Sequence, residues 1–574
     1  MTSIDRRAFG QGVLGSLLLR AGTLRARTPS RRPNVLFVMS DEWRAQAAGY
    51  MGDPNAQTPT VDRFARESIN FQQAIAGCSV CCPARGSLIT GQYPLTNGVY
   101  INDIPLQPKG LTLGEAFREA GYRTGYIGKW HLYGSPDGRN GRRQDYIPPE
   151  KRFGFEYWKA GECSHDYNHS LYYAGNDQTR QFWPGYDAQA QTDDACRYVQ
   201  EHSRETDPYF LVVSWGPPHF PLHTAPELYQ VMYRNREIQV RPNVPASHQA
   251  KAIQELRGYY AHIAALDECF KRLLDTLEAT GAADDTIVVW TSDHGDMMES
   301  QGLTYKLYPW EESIRVPLLI RYPRKFGRTG RTAGALVNSP DIMPTLLGLS
   351  GIAIPAGVQG TDYSRLRPAF LTARPAATAF LSMPVPLANA RSDGVAEYRG
   401  VRNEHYTYVR SIQGPWLLYD NRRDPYQMHN LCGQPQARGI QAALDAELNG
   451  WLRRLGDQFL PAADYLRRDH LEHYVETQFP IGRARSPWGD WESTLAKPTG
   501  PLSIDSAFGE LLDNPTARQI VGKELPELIA LGDNPNIDGI RAVSLRLIQQ
   551  LGFRKISDAQ LQAVNEQLMQ NQLN

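Results

Sequence analysis

Three cysteines, Cys78, Cys81 and Cys82, crowd into five positions of a chain that has only seven. The stretch Cys81-Cys82-Pro83-Ala84-Arg85-Gly86 reads as the start of a helix. A cysteine there is either a small buried hydrophobe or a reactive centre. Acidic and imidazole groups gather at two other places: Asp41-Glu42 closes one apolar run and Asp293-His294-Gly295-Asp296 closes another. Asp41, Asp293 and His294 can supply ligands to one divalent cation, with Glu42 as a candidate fourth. Oxygen-rich ligation of this kind favours Ca²⁺ or Mg²⁺. Lys129 and Lys306 are long, flexible donors suited to a spread negative charge. The set describes a site that handles an anion, although Asp293 to Asp296 by itself also reads as a polar turn after a strand.

The elements that must position these residues are legible as short apolar runs. Residues 34–40, 209–215 and 286–292 are rich in Val, Ile, Leu and Phe and predict buried strands. Helical patterns occupy 113–120 and 257–277, and another helix is expected at 340–347. Strands alternating with helices, with polar residues just past the strand ends, predict an α/β sheet with a site at its C-terminal edge. A Gly/Pro-rich link follows around 357–360. From about 378 the character changes: 398–410 and 416–420 predict antiparallel strands, and 437–458 a helix packed on them. Beyond Pro480 the chain is turn-rich, then helical at 524–531 and 538–551, with Ser557 capping a last helix to Gln570. We therefore expect a leader at 1–30, a catalytic α/β domain at 31–370, a small-sheet subdomain at 371–480, and a linker with a helical extension at 481–574.

At 574 residues the chain exceeds one hydrophobic core. Its 61 basic and 61 acidic residues cancel, which argues against a nucleic-acid partner. Seven cysteines in such length do not make a disulfide framework. Arg6-Arg7 followed by a short, weakly apolar stretch resembles a Tat export signal. The stretch is too short to span a bilayer, so a periplasmic or secreted protein is expected rather than an integral membrane one.

Several motifs occur in one order: Asn34 to Asp41, Cys81-x-Pro83-x-Arg85, Gly128-Lys129-Trp130-His131-Leu132, Pro218-His219-Phe220-Pro221, Ser292 to Asp296, and Lys306 with Glu311 to Pro317. In this the chain resembles the sulfatase family of the alkaline phosphatase superfamily across roughly 33–435. The resemblance implies an alkaline-phosphatase-like sandwich with a large mixed sheet, a smaller C-terminal α+β subdomain and here a helical C-terminal extension. It implies that Cys81 is oxidised by a formylglycine-generating enzyme to an aldehyde whose hydrate is the nucleophile. One divalent cation, Ca²⁺ by preference over Mg²⁺ or Mn²⁺, would be held by Asp41, Glu42, Asp293, His294 and residue 81. Arg85 would hold the aldehyde, and Lys129 and Lys306 would contact sulfate oxygens. His131 would act as the base when the ester on residue 81 breaks down, and His219 would protonate the leaving oxygen.

The implied activity is hydrolysis of a sulfate monoester on a small molecule or a saccharide. Two departures leave the ester class open: Glu42 where paired aspartates are common, and His294 where Asn is common. The alternatives are a phosphonate monoester or phosphodiester hydrolase on the same scaffold, and a catalytically silent binding protein. Cys78 and Cys82 are expected to be packing residues or to pair with each other. Asn97, His223 and Trp310 are candidates for facing substrate.

Overall fold

In the computed structural model the described residues are 32–134, 143–365, 378–472, 502–506, 508–532, 544–550 and 556–571. The expected leader at 1–30 and the turn-rich stretch after Pro480 fall outside them. The apolar runs form a ten-stranded sheet: β1 (Asn34–Asp41), β2 (Ile69–Ile75), β3 (Arg123–Lys129), β4 (Tyr157–Gly161), β5 (Leu171–Ala174), β6 (Gln181–Phe182), β7 (Tyr209–Pro218), β8 (Thr286–Ser292), β9 (Leu318–Arg321) and β10 (Arg331–Asn338). Their spatial order is β10-β2-β9-β8-β1-β7-β3-β4-β5-β6. The central strands β8, β1, β7, β3 and β4 run parallel, while β9 and β5 join antiparallel. The sheet is therefore mixed, as expected.

Both faces are covered, which is why the central strands read as continuous apolar runs rather than alternating ones. Leu36 and Val38 of β1, with Leu211 and Val213 of β7, join Leu266 and Phe270 of the Gln249–Ala279 helix in one core. The intervening Val35, Phe37 and Met39, with Phe210 and Val212, pack on Phe117, Leu346 and Leu347 on the other face. The Gln249–Ala279 helix extends further than the expected 257–277 because its buried positions run from Ala252 to Leu277.

A second sheet follows, an antiparallel meander of β11 (Ala379–Met383), β12 (Tyr398–Arg402), β13 (Tyr406–Ser411) and β14 (Gly414–Asp420). One face packs Phe380, Val401, Tyr408 and Leu418 against Leu444, Leu448 and Trp451 of the Arg438–Leu455 helix. The other carries Tyr398, Val409 and Leu417 into a cluster with Cys78, Tyr100, Met297 and Tyr308, so this sheet buttresses loops around the candidate site. The C-terminal helices have an apolar cluster of their own, including Phe508, Leu511, Val521, Leu528 and Val564. The helix expected at 524–531 is Pro526–Gly532; the helix before it, Pro515–Glu524, stops short of Pro526, which has no amide to continue it. Ser557 does cap the last helix, in a reciprocal bond with Gln560.

Candidate functional site

The site lies past the C-terminal ends of β1, β3, β7 and β8. Asp41 ends β1, Lys129 ends β3, Ser214 lies midway along β7 beside Gly128, and Asp293-His294 follow β8. Parallel registry brings them level: Ser40 stands beside Ser292, and Gly128 beside Ser214. Gly128 has φ +104°, and a Cβ there would lie 2.1 Å from the Ser214 carbonyl oxygen. Only glycine permits that approach.

Cys81 opens the Cys81–Thr90 helix, every residue of which is buried. Its Sγ lies 3.1 Å from His294 Nε2 and 3.8 Å from Asp41 Oδ1. His294 Nε2 is 3.5 Å from Asp41 Oδ1 and 3.8 Å from Asp293 Oδ1. The other ring nitrogen of His294, Nδ1, donates to the Gly295 carbonyl at 3.0 Å, so Nε2 turns its lone pair toward the cluster. One donor atom from each of Asp41, Cys81, Asp293 and His294 falls within 4.8 Å of the others, all four buried. Two carboxylates, an imidazole lone pair and an oxidisable side chain fit a divalent cation. Glu42 is not in that group. Its carboxylate instead clusters with Asp41 and His219, its Oε2 3.1 Å from both His219 Nε2 and Lys306 Nζ.

Arg85 braces the cluster. Its Nε donates to Asp293 Oδ2 at 2.9 Å, Nη2 to Asp41 Oδ2 at 3.3 Å, and Nη1 to the Lys129 carbonyl at 2.9 Å and Ser214 Oγ at 2.8 Å. Lys129 Nζ also pairs with Asp41 Oδ2. Burial would push Asp41 up, but Lys129, His219, Arg85 and His294 together hold its carboxyl well below the usual range. Glu42 goes the other way: burial raises it, with Lys306 opposing and Asp296 adding. Three buried cations, Arg85, Lys129 and Lys306, gather at this one place, a concentration of positive charge that suits an anion. Burial, with Asp41 next to it, pushes the Cys81 thiol up to about 11. The unmodified thiol is therefore protonated at neutral pH and a poor nucleophile.

His219 Nδ1 bonds the Phe220 carbonyl at 3.0 Å, and its Nε2 meets Lys306 Nζ at 2.6 Å. Burial and Lys306 hold this imidazole well below its ordinary value. His165 stacks on it with ring centroids 4.6 Å apart, and the Phe220 ring lies 4.2 Å away. His131, two residues past Lys129, is also buried, and burial plus Lys129 lower it to about 3.

The six expected catalytic residues and Asp41, Asp293 and His294 are all buried at this sheet edge. Pro83 lies in the first turn of the helix, which begins at Cys81 as the sequence suggests. Cys78 and Cys82 do not pair; both are free, buried thiols. Asn97 does not face substrate: its amide is used internally, accepting from the Val99 amide at 2.8 Å and donating to the Gln92 carbonyl at 3.2 Å. Trp310 packs against Trp416 and bonds the Tyr419 hydroxyl. Ser214, Asp103, Arg143, Glu162 and His165 enter the surroundings unforeseen. Of these only Ser214, in an otherwise apolar strand, carried a visible signal.

Residues 33–352 match the family model described as Sulfatase, and residues 300–454 match that of the N-sulphoglucosamine sulphohydrolase C-terminal region. The chain is 42% identical over 486 residues to a protein of Formosa agariphila named ulvan-active sulfatase, covering 84% of this chain and 92% of that one. It is 30% identical to an endo-4-O-sulfatase of Bacteroides thetaiotaomicron, covering 70% of this chain and 88% of that one. The crystal structure of a Bacteroides fragilis protein designated the sulfatase YidJ superposes with a TM-score of 0.68 at 28% identity, over 77% of this chain and 99% of that one.

Proposed function

The chain belongs to the sulfatase family and is a sulfuric ester hydrolase, and on that premise we propose that it removes sulfate from a saccharide ester using a formylglycine made from Cys81. The substrate class is suggested by the 42%-identical relative, which is named for activity on ulvan. The observation that carries the nucleophile is Cys81 Sγ set 3.1 Å from His294 Nε2 in a four-residue ligand cluster, with its thiol pushed up to about 11. A buried, protonated thiol in that place has no chemistry of its own; an oxidised residue 81 does.

Asp41, Asp293 and His294 would hold the cation; their carboxylates suit Ca²⁺ or Mg²⁺, and the resemblance to the family prefers Ca²⁺, with Mg²⁺ or Mn²⁺ as alternatives. Once matured and with the cation bound, residue 81 supplies a hydroxyl acidic enough to attack sulfur. Arg85, already tied to Asp41 and Asp293, keeps these carboxylates in place while the charge at the centre changes. Lys129 and Lys306 offer positive charge to the transferring group. With Nδ1 donating to the Phe220 carbonyl, His219 Nε2, set between Lys306 and Glu42, would act as the acid toward the departing oxygen only in the imidazolium form, taking up a proton before giving it to that oxygen. Glu42, in contact with both Lys306 and His219, would bear on the cation from beside the Asp41, Cys81, Asp293 and His294 group. A formylglycine-generating enzyme is the partner this chemistry requires. Export through a Tat leader would follow folding and maturation in the cytoplasm. Among the described residues no helix is long and apolar enough to cross a membrane.

The test is co-expression with a formylglycine-generating enzyme, mass spectrometry of the residue-81 peptide, and sulfate release from ulvan oligosaccharides beside matched aryl sulfate and aryl phosphonate esters. Aldehyde at position 81 with faster turnover of sulfates supports the proposal. A persistent thiol in active protein overturns the nucleophile. Faster turnover of the phosphonate transfers the chain to the phosphonate and phosphodiester reading.

A further inference from the structure

Several otherwise unexplained features converge on His131. Its ring is buried, yet neither nitrogen makes a well-formed hydrogen bond among the described residues. Asp103 Oδ1 stands 3.4 Å from His131 Nε2. Asp103 is gripped by Arg143, whose Nη2 donates to Oδ2 at 2.9 Å and whose Nε donates to Oδ1 at 3.3 Å. The turn carrying Asp103 is bolted to the helix of Cys81: the Asp103 amide donates to Cys82 Sγ at 3.3 Å, and the Cys82 amide donates to Asn102 Oδ1 at 3.0 Å. On the other side the buried carboxylate of Glu162 accepts from the successive amides of Leu132, Tyr133 and Gly134 at 3.2, 3.1 and 2.7 Å. His131 and Asp103 have φ of +59° and +64°. Side chains at such angles are held by their surroundings rather than by local preference.

We propose that Asp103 and Arg143 form an orienting dyad for His131, in which the carboxylate keeps the ring proton on Nε2 and leaves the Nδ1 lone pair as the base that accepts a hydroxyl proton from residue 81. The proposal rests on the reading of His131 as a base in the sulfatase cycle and adds what makes it one. A neutral imidazole has two tautomers, and a carboxylate, which only accepts, selects the one with N–H toward it. Arg143 fixes the carboxylate in plane and keeps it ionised: burial opposes this, but Arg143 and His131 hold Asp103 well below the usual range. The unpartnered Nδ1 then has a purpose, since a buried polar atom without a partner is costly unless a reacting group completes it. As Nδ1 takes the hydroxyl proton, that oxygen's freed pair forms the C=O of the aldehyde and the C–O bond to sulfate breaks, so sulfate leaves with the bonding pair and Nδ1 passes its proton to solvent. Glu162 sets the backbone from which the ring projects. Cys82 keeps Asp103 in register with residue 81. All four are positioning residues.

The experiment is ¹⁵N imidazole NMR on the full chain with Cys81 unmodified, alongside kinetics of the matured enzyme. The wild type should show His131 as the Nε2–H tautomer. In Asp103→Asn, Arg143 claims the amide oxygen and the amide NH₂ faces Nε2, so the signal should switch to Nδ1–H. The matured variant should lose about 10²-fold or more in kcat with KM little changed. Arg143→Gln, at a partly exposed side chain that the fold can lose, should give a mixture of tautomers and a smaller kcat loss, and it carries the test if Asp103→Asn does not fold. An unchanged tautomer, or a kcat within about threefold of wild type, overturns the dyad. The NMR arm needs neither maturation nor substrate. A chain inert toward sulfate esters whose His131 still switches tautomer would fault the sulfatase reading and leave the dyad standing.

Discussion

The two ends of the site are built differently. The end proposed to carry the nucleophile, with Asp41, Cys81, Arg85, Lys129, Asp293 and His294, grows directly from strand ends and one buried helix, and four bonds from Arg85 tie it together. The end proposed to serve the leaving group, with His219 and Lys306, is delivered by loops. Lys306 follows a segment in which Met298, Glu299, Gln301, Gly302 and Tyr305 all have positive φ, a path held by distant contacts. Gln301 Nε2 donates to the Tyr426 and Gln427 carbonyls, each at 3.0 Å, and its amide donates to the Asn243 carbonyl at 2.7 Å. Buried Glu299 pairs with His248 and Lys251. Sheet register dictates where charge sits at the first end, so it cannot be loosened without damaging the fold. The second end can drift by small loop changes, which suits the place where the leaving alcohol must be recognised.

Substitutions can break this contrast, and the largest effect belongs to the nucleophile. Cys81→Ala should abolish turnover, by about 10⁴-fold or more, while leaving the melting temperature nearly unchanged. Retained activity after expression with the maturation enzyme would remove residue 81 from the chemistry. Arg85→Met leaves Asp41 and Asp293 buried beside a lost cation, and should cost about 3–5 kcal/mol of stability as well as activity. Denaturant titration measures it, and a loss below about 1 kcal/mol would mean the brace is dispensable.

At the other end, His219→Ala should lower turnover of poor leaving groups by about 10²–10³-fold while sparing activated aryl esters. Equal losses on both would refute delivery of a proton from Nε2. Gln301→Ala should be mildest, raising KM several-fold through Lys306 with kcat and melting temperature close to wild type, an effect of about 1 kcal/mol. If it instead matched Arg85→Met in stability loss, the two ends would be equally rigid and the comparison would fail.

Much of the fold was legible because its strongest signals are local. The run at 286–292 is the strand β8, 34–40 falls one residue short of β1, and 209–215 falls three residues short of β7. What misled was contact chemistry. Asn97 looked free for substrate, but the turn after Tyr93 consumes its amide. The cysteine pair offered a disulfide that the structure replaces with two separate roles: Cys78 in an apolar cluster, and Cys82 accepting the Asp103 amide. Asp103, Arg143 and Glu162 gave no sign in the sequence, because nothing in their spacing relates them to His131.

By itself the sequence determined the α/β class, the identity of the charged and imidazole groups at the strand ends, and Cys81 as the residue to watch. These follow from hydrophobic runs and from motifs whose members are neighbours in the chain. Tertiary structure alone decided which groups share one cluster: that Glu42 turns to Lys306 and His219 rather than joining Asp293 and His294, that Arg85 is consumed as a brace, and that Asp103 faces His131. The reason is physical. A side chain's charge state and partner depend on burial and on distances of a few ångströms, which are set by packing between segments far apart in sequence.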